Sequence, residues 1–199
     1  TFAREHNIIV IHDNAYSDLL LNGQQGLSFL STPGAKEVGI EFNSLSKTYN
    51  LTGMRVSFAL GNRDVISRFR AFRSQIDYGM FYPIQAGAVA ALTGPQDIVA
   101  RNRAGYMARR DALCGGLRRI GWDVPDAQGT MFVWAKIPEK YTSSVDFVIE
   151  LMEKTGVICV PGSAFGAQGE GYVRFALVVP PERMEQAVRR IDESGMLKG

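Results

Sequence analysis

The stretch from residue 38 to residue 60 restricts the fold of this chain more than any other. Two apolar segments, residues 38–42 and 56–60, each have the length of a buried strand, and twelve or so residues of quite different character lie between them. A third run, Ile8-Ile9-Val10-Ile11, leads into His12-Asp13-Asn14-Ala15-Tyr16. Short unbroken apolar runs of this kind predict central parallel strands buried on both faces. Between and after them the apolar spacing turns helical. Val65, Ile66, Phe69 and Phe72 predict a helix through Gln75, Pro83 suits the first turn of one through Ala91, and Pro95 opens a long one. On that long helix Tyr106, Leu113, Leu117 and Ile120 share a face, and Gly121 ends it. The remainder predicts strands at 130–136, 157–160 and 172–177, a helix at 145–155, and a closing helix from Pro181 with Met184, Ala187, Val188 and Ile191 as its stripe. The expected architecture is α/β: residues 1–94 as part of a larger domain with a mostly parallel sheet, and residues 95–199 as the long helix followed by a small α+β domain.

Composition excludes several function classes. With 199 residues, 46% hydrophobic and 21% charged, the chain is in the range of an ordinary globular protein. A net charge of +2, with basic and acidic residues interleaved, predicts no nucleic-acid footprint. No segment has the ~20 uninterrupted apolar residues of a membrane span. Cys114 and Cys159 are far apart and lack metal-ligand spacing, so buried free thiols in a reducing cytosol are expected, and no metal site. The chain opens on Thr1, and residues 1–7 read as the tail of a helix running into a strand, so a piece of a longer protein is expected.

The chemistry is concentrated in Ser44-Leu45-Ser46-Lys47-Thr48-Tyr49-Asn50-Leu51-Thr52-Gly53-Met54-Arg55. Hydroxyls, a lysine and an arginine in a run free of acid suit a phosphate monoester, which needs several donors and a fixed positive charge. Lys47 in their midst suits attack on a carbonyl. Pyridoxal phosphate carries a phosphate and an aldehyde on one small ring. A basic surface loop has the same composition. Asp13 stands where ligands gather in open α/β sheets, although an Asp there also serves to cap the next turn. His12 points away from it and is read as a packing or supporting residue.

Taken together, Asp13-x-x-Tyr16, Ser44-x-Ser46-Lys47 with Gly53-x-Arg55, Pro161-Gly162-Ser163-x-Phe165-Gly166 and Tyr172-Val173-Arg174-Phe175 resemble the C-terminal half of the fold-type I, class I/II pyridoxal-phosphate aminotransferases. Residues 74–85 are similar to the LL-diaminopimelate and alanine aminotransferase-like branch. The resemblance implies that Lys47 forms the aldimine with pyridoxal 5'-phosphate, Asp13 pairs with the ring nitrogen, and Tyr16 bonds the ring hydroxyl. It further implies that Ser44, Ser46 and Arg55 hold the phosphate, and that Arg174, at a strand end in the small domain, takes the substrate carboxylate. The implied parent is a cytoplasmic homodimer that moves an amino group between an L-amino acid and a 2-oxo acid. A β-lyase on the same scaffold, and the aminotransferase-like ligand domain of a transcription regulator, are the alternatives. Many relatives have Gly at the position of Ser57, where local adjustment is expected. The family's N-terminal half supplies further cofactor contacts, so the isolated chain is expected to bind cofactor weakly and to be inactive alone.

Overall fold

The computed structural model describes residues 1–198, which divide into two compact units at Arg103/Ala104. The first holds α1 (Phe2–Glu5), β1 (Val10–Asp13), α2 (Ala35–Val38), β2 (Gly39–Ser44), α3 (Leu45–Thr48), β3 (Ser57–Gly61), α4 (Arg63–Arg73) and α5 (Tyr82–Thr93). The helix α6 (Asp97–Arg110) runs across the division into a π-helical segment (Asp111–Gly115) and α7 (Gly116–Arg119). The second unit continues with β4 (Phe132–Lys136), α8 (Ser144–Thr155), β5 (Val160–Pro161), β6 (Tyr172–Ala176) and α9 (Pro181–Glu193).

The first unit has a mixed sheet of order β1-β2-β3. The first pair is parallel, with His12 opposite Glu41 and Asp13 opposite Phe42; the second is antiparallel, with Ser44 opposite Ser57. Because Ser44 and Ser57 face each other, residues 45–56 leave and return at a single rung of the sheet, closed by the Leu45 N–H donating to the Val56 carbonyl. Leu45 and Val56 are buried with Ala88 of α5, and Tyr49, Leu51, Met54 and Phe58 pack around them. The excursion therefore has its own apolar base. Asn62 caps α4, its side-chain oxygen accepting from the Asp64 and Val65 amides.

Two expectations for this unit need correction. The strand begins at Val10 rather than Ile8, and Ile9 and Ile11 are more than half exposed. Among the described residues β1 pairs with β2. Phe72 is likewise exposed, leaving Val65, Ile66 and Phe69 as the inner face of α4, with Phe69 edge-on to Phe42.

The second unit packs α8, α9 and the Asp111–Gly115 segment around an antiparallel sheet of order β4-β6-β5. Strand alternation sorts its two faces. Val133, Ala135, Val173 and Phe175 are buried in the core, where Trp122 meets Phe147 and Phe175 edge-on and its indole N–H donates to the Lys136 carbonyl. Phe132, Trp134, Tyr172 and Arg174 occupy the other face. Met184, Val188 and Ile191 of α9 are buried as their spacing predicts. The strand expected at 157–160 reduces to Val160–Pro161, and Ile158 is exposed; Pro161 has no N–H with which to continue a ladder. Cys114 and Cys159 are free and buried; burial pushes their thiols up to about 11 and about 12, so neither is a nucleophile at neutral pH.

Candidate active site

The twelve-residue excursion from the β2–β3 rung is fixed at several points. Ser44 Oγ accepts from the Ser46 amide at 3.1 Å, and Thr52 Oγ1 donates to the Ser46 carbonyl at 2.9 Å. Thr48 Oγ1 donates to Asp18 Oδ2 at 2.9 Å, and Asn102 Nδ2 donates to the Thr48 carbonyl at 3.1 Å. Arg103 closes the frame by donating twice to the Asp18 carbonyl. Lys47 is thus held by both its neighbours. Its Nζ lies 5.6 Å from the centroid of the Tyr16 ring, so the structure brings together two of the residues singled out from the sequence. Tyr16 stands just beyond β1, where its carbonyl accepts from the Leu19 amide and turns the chain.

Arg55 lies at the far end of the excursion with φ 55° and ψ 46°, left-handed backbone that a side-chain-bearing residue adopts at a cost of about 1–3 kcal/mol. Its guanidinium donates to the Thr52 carbonyl and is otherwise exposed. Among the described residues neither Asp13, Lys47 nor Arg55 makes an ion pair. Charged groups on fixed backbone without counter-ions are what a charged ligand requires, and they distinguish this stretch from the solvated ion pairs on α4 and α6. Serine hydroxyls, an amine and a guanidinium form a donor set that fits a phosphate-bearing aldehyde. Ser57 sits exposed opposite Ser44, and its pairing is regular, so the side chain is accommodated at the start of β3. A groove of about 730 Å³ in this unit is lined by Leu45, Val56, Phe58, Tyr78, Met80 and Val89 among others; Asp13, Tyr16, Lys47 and Arg55 take no part in it.

A feature not singled out from the sequence lies at the base of the same strands. Glu41, 3% exposed in the middle of β2, accepts four side-chain hydrogen bonds. Asn14 Nδ2 at 3.0 Å and Asn43 Nδ2 at 2.9 Å reach one oxygen; His12 Nδ1 at 3.1 Å and Ser28 Oγ at 2.7 Å reach the other. Burial alone would raise the carboxyl, but these donors outweigh it and bring it from 4.5 down to about 2. An ionised carboxylate only accepts, so the contact with Glu41 calls for a proton on His12 Nδ1, whereas the Phe29 amide, 3.3 Å away, donates to that same nitrogen. A charge in an otherwise apolar strand needs partners. Glu41 is the one charge within the apolar run 38–42, and that is its mark in the sequence. The folded-state value is the lower one, so Glu41 contributes stability that is complete above pH 4.5 and lost as the pH falls toward 2. Urea unfolding at pH 5, 4 and 3 is expected to lose on the order of 2 kcal/mol between the first and the last, and Glu41→Gln to flatten the dependence.

In the second unit Arg174 is the central residue of β6, the middle strand, rather than a strand end, because β4 pairs along the whole of β6. Its guanidinium carbon lies 4.2 Å from the Phe132 ring centroid and 4.4 Å from that of Phe165, a cation held between two π faces. Trp134 stacks on Tyr172 and meets Phe165 edge-on, completing an aromatic wall. Among the described residues Arg174 makes no ion pair or side-chain hydrogen bond, so its N–H donors are uncommitted. Phe165 is delivered by the loop that begins at Gly162. There the backbone passes so close to Gly169 that a Cβ on Gly162 would lie 2.0 Å from the Gly169 carbonyl oxygen. The Ser144 hydroxyl ties the same loop to α8 through Ser163. The sequence motif at 161–166 named this loop, but the clamp on Arg174 required the β4–β6 register.

The profile of the family described as aminotransferase class I and II matches residues 1–191. The LL-diaminopimelate aminotransferase of Dehalococcoides mccartyi is 46% identical over 190 residues, 96% of this chain and 49% of that protein. That of Moorella thermoacetica is 47% identical over 190 residues, 96% of this chain and 48% of that one. Among solved structures, substrate-bound BacF from Bacillus subtilis superposes with a TM-score of 0.91 at 37% identity, covering 96% of this chain and 49% of its own. The N-succinyldiaminopimelate aminotransferase of Mycobacterium tuberculosis gives a TM-score of 0.87 at 32% identity, covering 96% and 51%. The chain spans about half the length of the curated relatives it matches.

Proposed function

The chain belongs to the class I and II aminotransferase family, and from that premise we propose that the protein it comes from transfers an amino group between an L-amino acid and a 2-oxo acid with pyridoxal phosphate as cofactor. The observation that carries this reading is Lys47, an amine without an ion-pair partner among the described residues, on backbone pinned at Thr48 and facing the Tyr16 ring. When bound, the cofactor supplies an aldehyde and an electron-withdrawing ring that make an amino-acid Cα–H acidic.

The chain's own residues divide the remaining work. Lys47 would hold the cofactor through its amine and, once the substrate amine has taken its place, its freed Nζ would take the proton that leaves Cα. Asp13, an exposed carboxylate at the end of β1, keeps a proton on the ring nitrogen. Tyr16 donates to the ring hydroxyl. Ser44 and Ser46 offer hydroxyls, and Arg55 a fixed charge, to the phosphate. Arg174 receives the substrate α-carboxylate with the two-pronged contact that a guanidinium allows and an ammonium does not. The family's homodimer is part of the proposal; the exposed Tyr78, Phe81, Tyr82 and Val89 supply apolar surface for an interface. The names of the relatives make LL-diaminopimelate the first amino donor to test.

The test is an amino-donor screen on the intact protein with pyridoxal phosphate and a 2-oxo acid acceptor, followed by absorbance and by product analysis. A cofactor band that shifts on adding donor, together with new amino acid formed from the acceptor, is expected. Release of pyruvate and ammonia without acceptor would replace this reading with a β-lyase, and the absence of any cofactor band would reject both.

A further inference from the structure

Asp13 lies between two residues that are tied to the same buried acid. His12 on β1 and Asn14 just beyond it both bond the Glu41 carboxylate, Asn14 as the donor, while Asp13 alternates to the other face. The Asn14 amide also donates to the Phe42 carbonyl at 2.8 Å, so the strand end is bonded to β2 through backbone and side chain alike. On β2, Asn43 donates to the Glu41 oxygen that Asn14 uses, and Ser28 brings in the intervening loop. A strand end bonded on both sides of one residue restricts the direction of that residue's Cα–Cβ bond.

We propose that Glu41 is a positioning residue for the cofactor site, aiming the Asp13 carboxylate through His12 and Asn14. This rests on the cofactor reading above and extends it to a residue that touches no ligand. Both Asn amides donate to one oxygen, an acceptor that glutamine keeps; at the other, glutamine sets an N–H₂ against Ser28 Oγ and His12 Nδ1, and it removes the charge that draws all four groups in.

The experiment is a double-mutant cycle in the intact protein, reading the dissociation constant of pyridoxal phosphate by absorbance titration and the thermal unfolding of the cofactor-free form. Glu41→Gln is expected to weaken binding about tenfold, as supporting partners of a ligand group typically do. In an Asp13→Asn background the same change is expected to cost no more than about twofold, because the group it aims has already been altered. Asn14→Ala removes one tether without leaving a buried charge unpaired, and is expected to repeat the pattern should Glu41→Gln fail to fold. An equal loss of affinity in both backgrounds would overturn the proposal and leave Glu41 a stability residue alone. Wild-type affinity in Glu41→Gln would also overturn it. If Asp13→Asn itself binds pyridoxal phosphate like the wild type, the cofactor role of Asp13 falls together with the proposal, which distinguishes that failure from the others.

Discussion

Replacing Lys47 with alanine in the intact protein is expected to lower turnover about 10⁴-fold, the upper range for loss of a positioned acid–base group. The fold should survive the change. Lys47 is half-buried, makes no ion pair among the described residues, and the bonds that shape its surroundings belong to Ser44, Ser46, Thr48 and Thr52. Lys47→Arg separates two possible reasons for the loss. Arginine keeps the positive charge near Tyr16 but does not release its proton at working pH. A variant with charge retained and turnover gone would assign the lysine to proton transfer and cofactor attachment; steady-state kinetics beside thermal unfolding read both. Normal turnover in Lys47→Ala would end the assignment of this chain's chemistry.

The second large effect is expected at Arg174. Two charge-assisted hydrogen bonds to a carboxylate, at about 1.5–3 kcal/mol each, correspond to a loss of at least about 100-fold in kcat/KM for Arg174→Ala. Arg174→Lys should recover only part of this, because a lysine ammonium offers neither the planar fork nor the flat faces that Phe132 and Phe165 enclose. If the carboxylate is bound equally in ground and transition states, the loss appears in KM with kcat unchanged. A variant with unaltered kcat/KM would move the carboxylate site elsewhere.

The legible and illegible parts of the sequence differ in physical kind. The Lys47 excursion could be read because its residues are chemically conspicuous and adjacent, and α8, α9 and the long helix because their apolar spacing is strong and local. What could not be read depended on partners far along the chain. Residues 8–11 look like a doubly buried strand, yet burial of the Ile11 face depends on what covers it, which four side chains do not specify. Glu41 acquires its donors from residues 12, 14, 28 and 43, brought together only by the parallel β1–β2 register. The aromatic clamp on Arg174 likewise comes from β4 and from a loop closed by the Gly162–Gly169 approach.

The bolting of Thr48 to Asp18 and Asn102 has one consequence for timing. With the main chain beside it immobilised, the terminal nitrogen of Lys47 travels only by torsion of its own methylene stem, a picosecond-to-nanosecond process. Reorientation of that arm is then far faster than any hinge or lid movement, so re-aiming the amine between successive positions costs no time beyond that of the proton transfer itself.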